Sequence, residues 1–193
     1  MKIPEIKKYG DPVLKQKSAL VTEFDKELRG LIILMKDFMY TNRGIGLAAP
    51  QLGISKRVIV ADTGEGFRAF VNPKIIWSQG KQREEEGCLS IPGIRLEIKR
   101  ANEIVLEGFD NKFEPVQTGA LGIFARVLQH EIDHLDGILI VDRIPKKRLK
   151  TIRDELAVIK RDAVALSREQ AAGLEGVEAE KVPCLLLKMN QKS

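Results

Sequence analysis

From about Asp25 to Asn42 the apolar residues Leu28, Leu31, Ile32, Met35, Phe38 and Met39 recur at a helical period, which predicts an amphipathic helix. Thr22 and Asp25 both suit its N-cap. The chain then becomes glycine-rich in "GIGLAAPQLG" (44–53), read as a loop whose glycines let the backbone pass close to another group. Short strand-like runs follow: "RVIVAD", "FRAFVNP", "KIIWS", "IRLEIKR", "NEIVLEGFD" and "FEPVQT", punctuated by Gly, Pro, Asn and Asp. Asp110-Asn111-Lys112 reads as a hairpin tip.

No helical stretch alternates with these runs, so they are expected to pair antiparallel in an α+β fold. A second helix is predicted from about Leu121 to Leu135, with Gly137 where a C-terminal cap belongs. A third is predicted after Pro145, with Leu149, Ile152, Leu156 and Ile159 on one stripe. The tail "AAGLEGVEAEKVPCLLLKMNQKS" shifts to Gly, Ala and Glu, and "CLLLKM" within it reads as either mobile chain or an added edge strand. A chain of 193 residues suits one core, divided here into a catalytic region, 1–145, and an extension of the same domain, 146–193.

Composition narrows the class. With 44% hydrophobic and 31% charged residues the sequence reads as globular. The start "MKIPEIKKYGDP" has no apolar signal region, and "LRGLIILMKDFM" is broken by charges, so a cytoplasmic protein without a membrane span is expected. The net charge of +5 suits encounter with an RNA-rich surface, but 5% aromatics argue against direct, sequence-specific nucleic-acid recognition. Cys88 and Cys184 could pair on parity alone; in a cytosolic protein a metal ligand or buried thiol is the preferred reading. For Cys184, in its apolar tail, that is a small hydrophobe.

The chemistry concentrates in "QHEIDHLDG" (129–137). On a helix, residues four apart project about 40° from each other, so His130 and His134 can reach one ion. Glu131 can then stand beside bound water without ligating the metal. The pattern HExxHxxGxxH keeps its glycine at Gly137 but has Ile140 where its last histidine belongs, and the chain holds only two histidines. The third ligand is therefore Cys, Asp or Glu. Cys88, between Gly87 and Pro92-Gly93 in a tight turn, is the best candidate and leaves a fourth position open. A zinc endopeptidase with Asp142 or Glu155 as third ligand is the rival reading.

Three separated stretches, "GIGLAAPQ" (44–51), "EGCLS" (86–90) and "QHEIDH" (129–134), resemble the peptide deformylases, as does the opening "GDPVLKQKSALV". The resemblance covers roughly Ile6 to Ile144. It implies an antiparallel α+β fold around a central metal-binding helix, flanked by N-terminal and C-terminal helices. The implied activity is hydrolysis of the N-formyl group from formyl-methionyl nascent chains, releasing formate. Cys88, His130 and His134 would hold one divalent ion, natively Fe(II), with Zn, Ni or Co able to substitute. Glu131 would be the general base, and Gln51 with the Leu89 N–H would donate to the developing oxyanion. Ile45 and Gly46 would offer backbone groups to an extended peptide, and Glu86 and Val127 would line the substrate site. Arg100 would pair with Glu86 and stiffen the cysteine loop, whereas Glu84 and Glu85 read as solvated.

Asp133 reads either as an orienting group or as plain surface. Arg126, four residues before His130, departs from the apolar lining that the resemblance implies. Either its stem packs while the guanidinium reaches solvent, or it narrows the pocket or favours acidic residues downstream of methionine. The basic third helix suits docking on the ribosome near its exit tunnel.

Overall fold

Asp25 starts the first helix, α1 (Lys26–Thr41), by accepting a hydrogen bond from the Leu28 N–H at 2.8 Å, which satisfies one of the N–H groups a helix start leaves unpaired. Thr22 lies outside the helix. The computed structural model describes residues 5–175; Cys184 and "CLLLKM" lie outside the described residues.

Seven strands follow: β1 (Gly46–Ala48), β2 (Val58–Ala61), β3 (Arg68–Gln79), β4 (Gln82–Cys88), β5 (Ile91–Arg100), β6 (Glu103–Phe109) and β7 (Pro115–Leu121). Next come α2 (Gly122–Leu135), α3 (Lys146–Thr151) and α4 (Arg153–Glu175). One antiparallel sheet has the order β1-β2-β3-β6-β7, and β4 and β5 form a separate antiparallel ribbon. The α+β class predicted from the sequence is the fold observed.

β2 explains how the sheet is held. All four of its residues are buried, and period-2 alternation sends them to opposite sides. Val58 and Val60 pack with the buried face of α1, including Leu28, Ile32, Met35 and Met39. Ile59 and Ala61 pack with Ala125, Leu128, Ile132 and Leu135 of α2. Each such buried aliphatic side chain stabilises the fold by about 1.5–3 kcal/mol, so α2 is fixed on the sheet chiefly by hydrophobic burial. On the ribbon, β5 turns Ile94, Leu96 and Ile98 inward against Leu139, Ile140, Val141, Ile152 and Leu156. The next inward position is Arg100, so the same alternation that builds the core also buries a charge.

Several boundaries differ from the sequence reading. "FRAFVNP" and "KIIWS" are one strand, because Asn72-Pro73 makes a bulge rather than a turn; Asn72 has φ +53° and its side chain bonds both backbone groups of Val21. "REEEGC" is not merely a charge run: it belongs to β4, with Glu84 and Glu85 exposed and Glu86 buried. The loop "GIGLAAPQLG" contains β1 and a 3-10 turn (Ala49–Leu52). The third helix breaks at Ile152, whose side chain is drawn into the ribbon's core cluster. Gly137 follows the cap residue Asp136 with φ +73°, where a Cβ would meet the Lys15 carbonyl at 2.7 Å. No helix among the described residues is long and apolar enough to cross a membrane.

Candidate active site

Two substructures meet at the site. α2 supplies His130, Glu131 and His134, all buried. β4 supplies Cys88, its last residue, before Leu89-Ser90 turns the chain into β5. The ligand atoms of Cys88, His130 and His134 lie within 4.8 Å of one another, and Cys88 Sγ is 3.3 Å from His134 Nε2. Asp142 is engaged elsewhere, accepting from Lys15 Nζ at 2.5 Å and the Leu139 N–H at 2.7 Å. Glu155 is an exposed residue of α4. The third-ligand position of the endopeptidase reading therefore has no occupant in this cluster.

The electrostatics suit a cation. Burial pushes the Cys88 thiol up, but the charge of His134 and hydrogen bonding with the histidines outweigh it and hold the thiol well below its usual range. Burial likewise pushes His130 down, and its bonds to Cys88 and Glu86 carry it well above the usual histidine value. A buried thiolate beside two imidazoles is a donor set that fits Zn or Fe and similar divalent ions. Glu131 Oε2 and His134 Nδ1 are buried without a protein partner. Burial raises the Glu131 carboxyl from 4.5 to about 7 against the pull of both histidines, which puts its proton exchange near neutral pH.

Glu86 orients His130. Its Oε2 is 2.9 Å from His130 Nδ1 and accepts from Arg100 Nη2 at 2.8 Å. Its Oε1 accepts from Arg100 Nε at 2.9 Å and Arg126 Nη1 at 2.5 Å. Burial alone would raise this carboxyl; hydrogen bonds and charge from Arg100 and His130 hold it well below the usual range. An ionised carboxylate only accepts, so His130 Nδ1 carries the proton and Nε2 is left for a ligand. Arg100 Nη1 continues to Asp133 Oδ2 at 2.5 Å, and Asp133 is also bound by Arg143. Asp133 is thus a buried member of the network rather than plain surface.

Gln51 is buried, its Oε1 accepting from the Ala48 N–H at 2.9 Å. That bond turns its Nε2 toward Ser90 Oγ at 3.3 Å and Cys88 Sγ at 3.7 Å. Gly46 lies against Glu131: a Cβ there would stand 2.4 Å from Glu131 Oε1 and 2.7 Å from Val127 Cγ1. A cavity of about 700 Å³ is lined by Ile45, Gly46, Gln51, Glu86, Cys88, Leu89, Arg126, Val127, His130 and Glu131, so most of the residues named from the sequence converge on one space; His134 and Arg100 are not part of its lining.

One reading of Arg126 needs correcting. It is 3% exposed, so its guanidinium does not reach solvent. That corrects the first reading alone: Arg126 also lines the cavity, with Nη1 and Nε engaged by the ribbon and Nη2 buried without a partner. Lys8 and Ser90 were missed. Lys8 Nζ donates to the Leu89 carbonyl at 2.8 Å in the cavity wall, and burial lowers its pKa despite the Cys88 charge. Nothing in the local sequence marks Lys8, whereas Ser90 stands within the quoted "EGCLS".

A model of the polypeptide deformylase family matches residues 3–150. A peptide deformylase of Thermodesulfovibrio yellowstonii is 47% identical over 154 residues, covering 77% of this chain and 93% of that protein. One from Halothermothrix orenii is also 47% identical, covering 75% of this chain and 95% of its own length. The crystal structure of the Thermus thermophilus enzyme superimposes with a TM-score of 0.79 at 39% identity, covering 83% of this chain and 99% of that one. With the family model matching residues 3–150 and a Cys/His/His cluster of two buried histidines and a half-buried cysteine, the chain belongs to the polypeptide deformylases, hydrolases that remove the N-formyl group from nascent polypeptides.

Proposed function

We propose that Cys88, His130 and His134 hold one divalent ion, Fe(II) in the cell with Zn, Ni or Co able to replace it, and that the cavity above them takes the formyl-methionyl end of a nascent chain. The observation that carries this reading is the convergence of the Cys88, His130 and His134 ligand atoms beside a cavity wall that holds Glu131 and Gln51. When bound, such an ion polarises a carbonyl and activates water. Glu131 accepts the proton of the attacking water and passes it to the departing amine; its raised pKa of about 7 suits both transfers. Gln51 Nε2 and the Leu89 N–H stabilise the developing oxyanion, and removing one such donor commonly costs on the order of 10²–10³ in rate. Ile45 and Gly46 present backbone groups to an extended peptide, with Val127 and the stem of Glu86 beside its first side chain. Arg100 acts at one remove, through Glu86 on His130.

The test is formate release from formyl-Met-Ala-Ser by protein purified anaerobically. Wild type turns over; Cys88→Ala loses the metal; Glu131→Ala keeps the metal and loses activity. A wild type that binds metal yet releases no formate would sink the reading. We also assign catalysis to residues 1–145 in the cytoplasm, and read the extension 146–193 as a basic ribosome-docking element. Salt-sensitive co-sedimentation with ribosomes, lost on truncation after Pro145, checks the latter; equal sedimentation of the truncated protein refutes it.

A further inference from the structure

The metal ligands come from two pieces that no apolar layer shares: His130 and His134 from the sheet-bound α2, Cys88 from the ribbon. Arg126 spans the gap. It lies one turn before His130, and its Nη1 faces the Glu84 carbonyl at 3.4 Å and the Ile98 carbonyl at 3.0 Å. Glu84 and Ile98 are opposed residues of β4 and β5, so one guanidinium nitrogen grips both strands at a single cross-strand pair. The same nitrogen reaches Glu86 Oε1, two residues before Cys88, and Nε reaches Gln82 Oε1 at 3.3 Å. A planar, always-charged fork can hold several acceptors at fixed angles where a flexible ammonium cannot.

We propose that Arg126 is a positioning residue for the metal centre: it clamps the ribbon to α2 and thereby sets where the Cys88 thiolate stands relative to the two imidazoles. The inference rests on the proposed Cys88/His130/His134 centre. It gives Arg126 a function in metal retention and thiolate geometry rather than in the choice of peptide. Burying an arginine is otherwise unfavourable, and here the ribbon supplies acceptors for Nε and Nη1 while Nη2 has none.

The experiment uses the full chain as wild type, Arg126→Met and Arg126→Lys, each as metal-free and Co(II)- or Zn(II)-loaded protein. Three quantities are read: the Zn(II) dissociation constant by chelator competition, the thiolate-to-cobalt charge-transfer band, and the Tm of the metal-free protein. Arg126→Met is expected to weaken Zn(II) binding about 10–100-fold, the usual consequence of losing an orienting partner, and to shift the charge-transfer band. Arg126→Lys recovers part of the affinity, because its ammonium still reaches Glu86. A purely structural arginine would lower the metal-free Tm while leaving the dissociation constant and band at wild-type values, and that result overturns the proposal. If Arg126→Met does not fold, Arg126→Lys decides: a few-fold weaker site with a shifted band supports the clamp, and wild-type values overturn it. A wild type that binds no metal would instead sink the underlying centre, so the two failures are distinguishable. Altered discrimination between formyl-Met-Ala and formyl-Met-Asp with metal binding unchanged would return Arg126 to substrate selection and overturn the proposal.

Discussion

The histidines and the cysteine of this site are held by opposite means. α2 lies on the sheet through the apolar seam of Ala125, Leu128, Ile132 and Leu135, with Arg57 bonding Asp136 and the Leu135 carbonyl at its end. Behind the site, the inner face of the β4–β5 ribbon ends in Arg100 and Glu86, joined to α2 by Arg126, Asp133 and His130. Apolar packing is non-directional and tolerates small displacements. Hydrogen-bonded charges fix angles as well as distances, but only while every partner is present. The helix side therefore supplies stability, and the ribbon side supplies placement.

Removing one charge tests this division most severely. Arg100→Met leaves Glu86 and Asp133 each short of a buried partner, which should cost about 3–5 kcal/mol in stability. It should also weaken metal binding roughly 10–100-fold through His130. Denaturant unfolding and chelator competition measure the two effects separately. On the other side, Leu128→Ala should cost about 2–5 kcal/mol by emptying a fully buried position, with metal affinity of the folded protein unchanged. If Leu128→Ala weakens the metal as much as Arg100→Met does, the division collapses.

A smaller effect belongs to Glu131, where placement opposes stability. In the metal-free protein the unfolded chain releases this proton near pH 4.5 and the folded chain only at about 7. Folding stability therefore falls as pH rises between those values and stays lowered above them. Glutamine mimics the protonated form, so metal-free Glu131→Gln should exceed wild type by about 3 kcal/mol above pH 7, the equivalent of that shift. Below pH 4.5 the two should be equal. Unfolding curves at pH 4 and 8 check it, and a constant difference across that range would contradict the assignment. The smallest effect is expected at the ribbon's outer face, where the Arg83–Glu97 pair is 66% and 58% exposed. Arg83→Ala should stay within about 0.5 kcal/mol of wild type and leave metal binding untouched.

The same division governs what the sequence disclosed. The first helix showed as apolar periodicity and Asp25 marked its start, because burial repeats with the geometry of the element; the second was placed by the motif it carries and the cap at Gly137. His130, Glu131 and His134 were readable because their chemistry is rare and their spacing short, and Cys88, far off in sequence, because no third histidine exists and its turn is marked by Gly and Pro. The polar lattice was only half visible. Arg100 falls on the inward phase of β5, a signal present in "IRLEIKR", but Arg126 reads as an intruder until its acceptors on the ribbon are known. Two of those four acceptors are backbone carbonyls, which no residue letter reports. β1 escaped for a related reason: three residues paired at one edge leave no period to detect.

That short strand also bears on how the molecule behaves in a crowded solution. β1 forms one edge of the sheet, and an open edge that can align an extended peptide can equally template a second copy of the chain. Here the invitation lasts three residues before Pro50 and the 3-10 turn end the ladder. A visiting strand finds too few backbone bonds to remain on them alone. Under the proposed alignment of the peptide along this edge, retention of a chain end would depend on further contacts at the cavity floor. Brevity at this edge thus serves solubility.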